Sequence, residues 1–175
     1  SKQQIMVRPK KGEFNPYFKN YIAMVPNGDI MDLLYKNTRD AVQFFESIPV
    51  EKHNYRYEED KWNIKEMLIH LIDAERVFSY RALVAARGAK KTALQPMDDH
   101  LYVKSAAVDG RRFHDLVEEF KAVRHATEKL FETLTEKQMA FKANGVSSPI
   151  TARALGYIIV GHMMHHMKVI KEWYL

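Results

Sequence analysis

Four stretches of this chain repeat apolar residues at three- and four-residue steps, the period of an amphipathic helix. The first covers about residues 30 to 47. It carries Leu33, Leu34, Ala41, Phe44, Phe45 and Ile48 on one face, with a turn and capping signal at Asn27-Gly28-Asp29 and Pro49 just beyond its end. The second covers about residues 63 to 87, with Ile64, Met67, Leu68, Leu71, Ala74, Phe78, Ala82 and Ala85 inward and Gly88 as its stop. The third covers about residues 110 to 134, and the fourth runs from a Thr151 cap to about residue 173. Nothing reads as a sheet. Residues 17–26 are apolar but irregular and read as chain laid across the helices rather than as a helix. Residues 90–108, with Pro96 and several aspartates and histidines, form a long connection of the kind that is functional or crosses a bundle. The pattern predicts an all-α four-helix bundle, one domain over 1–175 with 1–16 as a flexible or peripheral N-terminal segment.

Composition narrows the chemistry. The 175 residues contain 8 His and no Cys, so disulfides and thiolate ligands are excluded and any metal site must use His, Asp or Glu. No apolar run approaches the roughly 20 residues needed to span a bilayer. The charged start, Ser1 to Phe14, lacks the apolar stretch of a signal peptide, and a cytoplasmic protein is the expectation. The net charge of +5 is modest. Its basic runs, Arg8 with Lys10 and Lys11, Arg87 with Lys90 and Lys91, and Arg111 with Arg112, read as solvated loops and helix ends, so neither a nucleic acid nor a membrane is expected as a partner.

The fourth helix carries the most specific signal. His162 and His166 are four residues apart and fall inside the stripe of Leu155, Ile158, Ile159, Val169, Ile170 and Trp173, while Lys168 and Lys171 take the opposite face. One inward histidine reads as a core residue bonded to a carbonyl. Two, stacked one turn apart, each need a buried partner, and a shared cation serves both. His165 lies at the stripe's edge. His70, on the flank of the second helix's stripe, suits a side chain reaching a neighbouring helix, whereas His53, His100, His114 and His125 read as solvent-exposed. Two carboxylates are the candidate catalytic groups. Glu75 falls within the second helix's stripe, either as acceptor for a ligating imidazole N–H or as a bridge to Arg76 or another arginine. Asp73 reads as an added ligand, a base for bound water, or simply a solvated face.

The run Trp62-Asn-Ile-Lys-Glu-Met-Leu-Ile-His70-Leu-Ile-Asp-Ala-Glu75-Arg76, followed by Tyr80-Arg81-Ala-Leu, resembles the second-helix signature of the DinB family. Ile150-Thr-Ala-Arg-Ala-Leu-Gly-Tyr-Ile-Ile-Val-Gly-His162-Met-Met-His165-His166 resembles that family's last helix, and residues 21–29 and the loop from Pro96 to Val103 are similar to it in the same order. These are the damage-inducible bundle proteins, including YfiT-like members, and not the polymerase of the same name. The resemblance implies a bundle of up-up-down-down type and a divalent metal, commonly zinc or nickel, held by His70, His162 and His166. It leaves His165 unassigned. It also implies relatives that are thiol-dependent transferases or a maleylpyruvate isomerase using a low-molecular-weight thiol.

Such a cation acidifies bound water and polarises electrophiles. The expected function is therefore a metal-dependent enzyme acting on a small electrophilic substrate, by thiol transfer or by hydrolysis. Arg76, Arg81 and Arg153 are equivalent candidates to hold a substrate carboxylate. The alternative is a non-catalytic metal-binding or stress-response bundle. Ile72 and Met164, off their main stripes, suggest a homodimer face.

Overall fold

In the computed structural model, which describes residues 7–175, every regular element is helical. The α-helices are α1 (Lys19–Ala23), α2 (Ile30–Ser47), α3 (Ile64–Ala86), α4 (Asp99–Ala106), α5 (Phe113–Glu132), α6 (Glu136–Ala140) and α7 (Ala152–Trp173). Among these residues no helix is long and apolar enough to cross a membrane.

The long helices begin where side chains can satisfy their first free N–H groups. Asp29 accepts from Met31 and Asp32 N–H, Asn63 and Glu66 form a reciprocal capping box on α3, and Thr151 accepts from Ala154 N–H. Gly88, at φ 70°, supplies the left-handed turn that ends α3. The third long helix starts later than its pattern predicts. Residues Val108–Gly110 form a 3-10 turn and Arg112 is extended, so α5 begins at Phe113.

Helices α2 and α3 each pack on both α5 and α7. Contacts between Gly28 and Tyr157, then Asn37 and Val160, then Phe44 and Lys171, show α2 and α7 running parallel. Lys121 near Glu46 and Glu132 near Tyr35 make α5 antiparallel to α2, and Tyr174 on Trp62 with His162 on His70 makes α7 antiparallel to α3. The order is therefore up, down, down, up, which corrects the up-up-down-down arrangement. The reason lies in the connections. Residues 48–63 turn at one end, whereas residues 87–112 must return the length of the bundle, carrying α4 along α3.

Two apolar clusters fill the two ends. One is built around Ile30, Leu34, Ala82, Phe131, Leu155 and Ile158, the other around Phe45, Ile64, Leu68, Ile72, Leu116 and Ile170. Ile72 thus belongs to the core and is removed from a free dimer face, whereas Met164 packs half-buried against the core. Between the clusters lies Arg124, 0% exposed. Its Nε donates to both Glu75 oxygens at 3.0 Å, its Nη2 to Glu75 at 2.9 Å and its Nη1 to Asn37 at 2.8 Å. Asn37 Nδ2 in turn donates to the Val160 carbonyl at 3.5 Å, and Thr127 Oγ1 donates to Glu75 at 2.8 Å.

Of the N-terminal segment 1–16, residues 1–6 lie outside the described residues. Beyond them the chain is strapped down: Arg8 donates to the Val25 and Ile22 carbonyls, and Arg153 and Thr151 hold the carboxylate of Glu13. Burial alone would raise the Glu13 carboxyl, but hydrogen bonds from Arg153, the Lys10 amide and Thr151 hold it below its ordinary value.

Arg124→Met strands the Glu75 carboxylate and should cost about 3–5 kcal/mol in urea unfolding. The double variant Arg124→Met, Glu75→Leu should recover a large part of that loss, and a double variant no more stable than the single one would contradict this reading of the pair.

Candidate metal centre

Two helices supply the three histidines. The capping box of α3 fixes its start one turn before Met67 and sets His70 facing α7, while Thr151 starts α7 so that His162 and His166 face back one turn apart. His70 Nε2 and His166 Nε2 stand 3.2 and 3.1 Å from His162 Nε2. His70 is 4% and His162 7% exposed, and His166 is half-buried. Helix α1 crosses α7 at this level. A Cβ on Gly161 would collide with the Tyr21 carbonyl oxygen, so only glycine lets Tyr21 come this close, and its ring packs edge-on against His162 at 5.3 Å. Trp62 lies 4.8 Å from the His70 ring and Phe78 5.5 Å from that of His162.

Burial keeps these imidazoles uncharged. It lowers His70 and drives His162 well below the ordinary histidine value. His166 falls to about 3, by burial first and then by the neighbouring His70 and His165. Neutral rings offer lone pairs, and here three ring nitrogens converge within 4.8 Å of one another. Bonds of about 2.0–2.1 Å in a tetrahedron would set imidazole nitrogens about 3.3 Å apart, close to the two short separations. With no cation, the single hydrogen-bonding position of His162 Nε2, lone pair or N–H according to the tautomer, would have to serve two neighbouring nitrogens at once. The donor set fits a divalent ion. Nδ1 of His70 and of His166 are buried without a protein partner, and the rings of Trp62 and His165 pack against these two imidazoles.

The three histidines form one wall of a cavity of about 540 Å³. Phe18, Tyr21, Trp62, Ala74, Phe78, Met97 and Leu155 supply its apolar surface, and Arg81, Asp99 and His100 its charged or polar groups. The two carboxylates singled out from sequence lie elsewhere. Glu75 is taken up by Arg124 and Thr127, so the arginine bridge is with Arg124 and not Arg76, and no imidazole donates to it. Asp73 is half-buried beside Arg76 and Glu119, with its carboxyl raised by burial. His165 packs on Tyr21 beside the cluster. His114 and His125 are exposed, as is His100, although His100 lies at the cavity rim against Trp62. His53 is not free in solvent: it is half-buried, donates from Nε2 to the Ile48 carbonyl at 3.0 Å and stacks on Phe113. Arg81 and Asp99 were not separable from other surface charges by spacing, since only the return path of residues 87–112 brings Asp99 to α3.

The chain belongs to the DinB superfamily, which it matches over residues 33–170. Its fold is similar to that of YfiT from Bacillus subtilis, described as a probable metal-dependent hydrolase with an unusual four-helix bundle topology. That match has a TM-score of 0.71 at 18% identity, covering 95% of this chain and 91% of YfiT. A mycothiol-dependent maleylpyruvate isomerase is similar at a TM-score of 0.67 and 9% identity, over 84% of this chain but 61% of that longer protein. A DinB-like protein from Bacillus subtilis, YjoA, is similar at 0.51 and 18% identity, over 84% of this chain and 90% of its own. No curated protein matches the sequence.

Because burial holds the folded-state values of these histidines below the ordinary 6.5, the unfolded chain binds more protons once the pH falls under 6.5. Their contribution to stability is complete above pH 6.5 and is lost progressively towards about 3, the folded value of His166. In chelator-treated protein, His166→Gln should flatten the fall of the urea midpoint across this window; an unchanged slope would refute the assignment of that loss to His166.

Proposed function

We propose that this chain is a metal-dependent enzyme in which His70, His162 and His166 hold a divalent ion, zinc or nickel, beside a cavity that takes a small electrophilic substrate. The observation that carries the reading is the convergence of three uncharged imidazole nitrogens on the wall of an open cavity rather than inside a sealed core. The cavity on the far side of these nitrogens would leave room for a reacting molecule beside an ion that the three histidines would hold. When bound, it supplies Lewis acidity that polarises an electrophile and makes a water or thiol acidic near neutrality.

The protein's own groups do the remaining work. The imidazoles deliver lone pairs without first losing a proton, because burial has removed it already. Trp62, Phe18 and Phe78 dry the space beside the histidines, which strengthens every polar interaction made there. The Tyr21 hydroxyl, raised to about 12 by burial and by Tyr17, stays protonated. Asp99 is the one carboxylate lining the cavity among the described residues, and it takes the place of Asp73 and Glu75 as the group able to accept a proton from a reacting molecule.

Thiol transfer and hydrolysis both suit this site. The similarity to a mycothiol-dependent isomerase supports the first and the similarity to YfiT the second. A low-molecular-weight thiol is the co-substrate in the first case. The discriminating assay follows monochlorobimane consumption with and without added thiols, beside hydrolysis of 4-nitrophenyl acetate, in metal-loaded protein. Thiol-dependent turnover, lowered about a hundredfold or more in a helical His162→Ala variant, establishes transfer. Ester turnover indifferent to thiol assigns hydrolysis. No turnover of any electrophile by folded, loaded protein would favour the non-catalytic metal-binding bundle.

A further inference from the structure

Three arginines on these helices had equal claims to a substrate anion, and the structure separates them. Arg153 is spent on Glu13, its Nε and Nη2 donating at 2.6 and 2.9 Å. Arg76 is exposed and shared between Asp73 and Glu119. Arg81 differs from both. It is 9% exposed, lines the histidine cavity and forms no ion pair among the described residues. Its one hydrogen bond runs from Nη2 to the Gln95 carbonyl at 2.7 Å. A guanidinium carries five N–H donors. Among the described residues the buried side-chain atoms left without partners are the two histidine Nδ1 atoms alone, so the remaining donors of Arg81, which lines the cavity, are not sealed in the core.

Burying an arginine without a counter-ion costs free energy, and burial accordingly lowers its pKa from the ordinary value. Asp99 lines the same cavity and acts on both Arg81 and His70 through space, yet it closes an ion pair with neither. Arg81 lies eleven residues after His70 on α3, which returns it to within about 20° of the same helix face, roughly 16 Å along the axis. Ala74 and Phe78 fall between the two on α3, and with Phe18 and Met97 they give the same cavity apolar lining.

We propose that Arg81 is the carboxylate-binding subsite of this cavity, so that the molecule bound there is a small organic acid with an apolar body and its reactive end at the histidines. The charge balance selects a carboxylate over a phosphate: one guanidinium with Asp99 nearby matches a planar monoanion, whereas a dianion wants more than one cation. The carboxylate belongs to the electrophile or to the thiol that attacks it; the chemistry recognised is the same.

The inference rests on the reading of this cavity as the substrate site, but its test does not need turnover or metal. Calorimetric affinities are compared within two pairs, 4-phenylbutyrate against 4-phenylbutyramide and N-acetylcysteine against N-acetylcysteine amide. The full chain is used, metal-loaded and chelator-treated, with helicity checked by circular dichroism. In the wild type at least one acid should bind about tenfold or more tightly than its amide, in both metal states, and the pair that shows it identifies the source of the carboxylate. Arg81→Gln should bring that ratio near one while leaving amide affinity unchanged, and Arg81→Lys should keep part of it. A wild type with no acid preference in either pair, or a preference that survives Arg81→Gln, overturns the proposal. So does a preference that emerges only in Asp99→Asn, since Asp99 would then be the counter-ion of Arg81. Failure to retain metal would leave these ratios readable, so the two readings fail separately.

Discussion

Arg124 is wholly buried at mid-height in the bundle, and through it four long helices meet: it donates to Glu75 on α3 and Asn37 on α2, Asn37 reaches the Val160 carbonyl on α7, and Arg124 itself belongs to α5. A charge in this position is tolerated only because it is paired bidentately and its neighbours are hydrogen-bonded in turn. The pairing also sets rotation. Five residues along a helix turn the face by about 140°, so fixing Glu75 towards α5 turns His70 away from it and towards α7. The apolar clusters at the two ends could tolerate small slips in register; the bonds around this guanidinium cannot, and the histidine nitrogens 3.1 to 3.2 Å apart depend on that register.

The histidines are thus positioned by rigid elements rather than by loops. His162 and His166 need only the pitch of α7, and His70 needs only the rotation of α3. What opens the site to a second molecule is the surrounding chain: α1 crossing at Gly161, and the return segment that lays Pro96, Met97 and Asp99 over the cavity. Bundle and covering segments divide the work, the first presenting three uncharged imidazole nitrogens and the second an apolar space with one arginine and one carboxylate. Membership of the DinB superfamily agrees with this plan, and the low identity to YfiT and to the isomerase leaves the residues themselves to define the reaction.

The long helices were legible because eighteen to twenty-three residues hold enough turns for a stripe to stand out, and because Asp29, Asn63, Thr151 and Gly88 are the side chains that start and stop helices. Helices α1, α4 and α6, of five to eight residues, hold too few turns for periodicity, although the Thr135 and Gln138 pair that caps α6 is a local signal. A stripe also says which face is inward without saying which helix it meets. For that reason the stripe put His162 and His166 inward and only the resemblance to the DinB family joined His70 to them, while the helix directions, the partner of Glu75 and the core position of Ile72 could not be read. Arg124 was hidden for a related reason: arginine is rarely fully buried, and one among many charged residues on α5 carries no mark of its place. Arg81 and Asp99 met only once the long connection was folded back along α3.

The central claim is that His70, His162 and His166 bind one divalent ion through their Nε2 atoms. Elemental analysis of the protein, joined to X-ray absorption at the edge of the metal found, addresses it most directly. The account predicts close to one ion per chain and an absorption shell of about three imidazole nitrogens near 2.0–2.1 Å, both lost in a helical His162→Ala, His166→Ala variant. A folded wild type that takes up no metal on reloading, or an ion whose shell is unchanged in that variant, would contradict it.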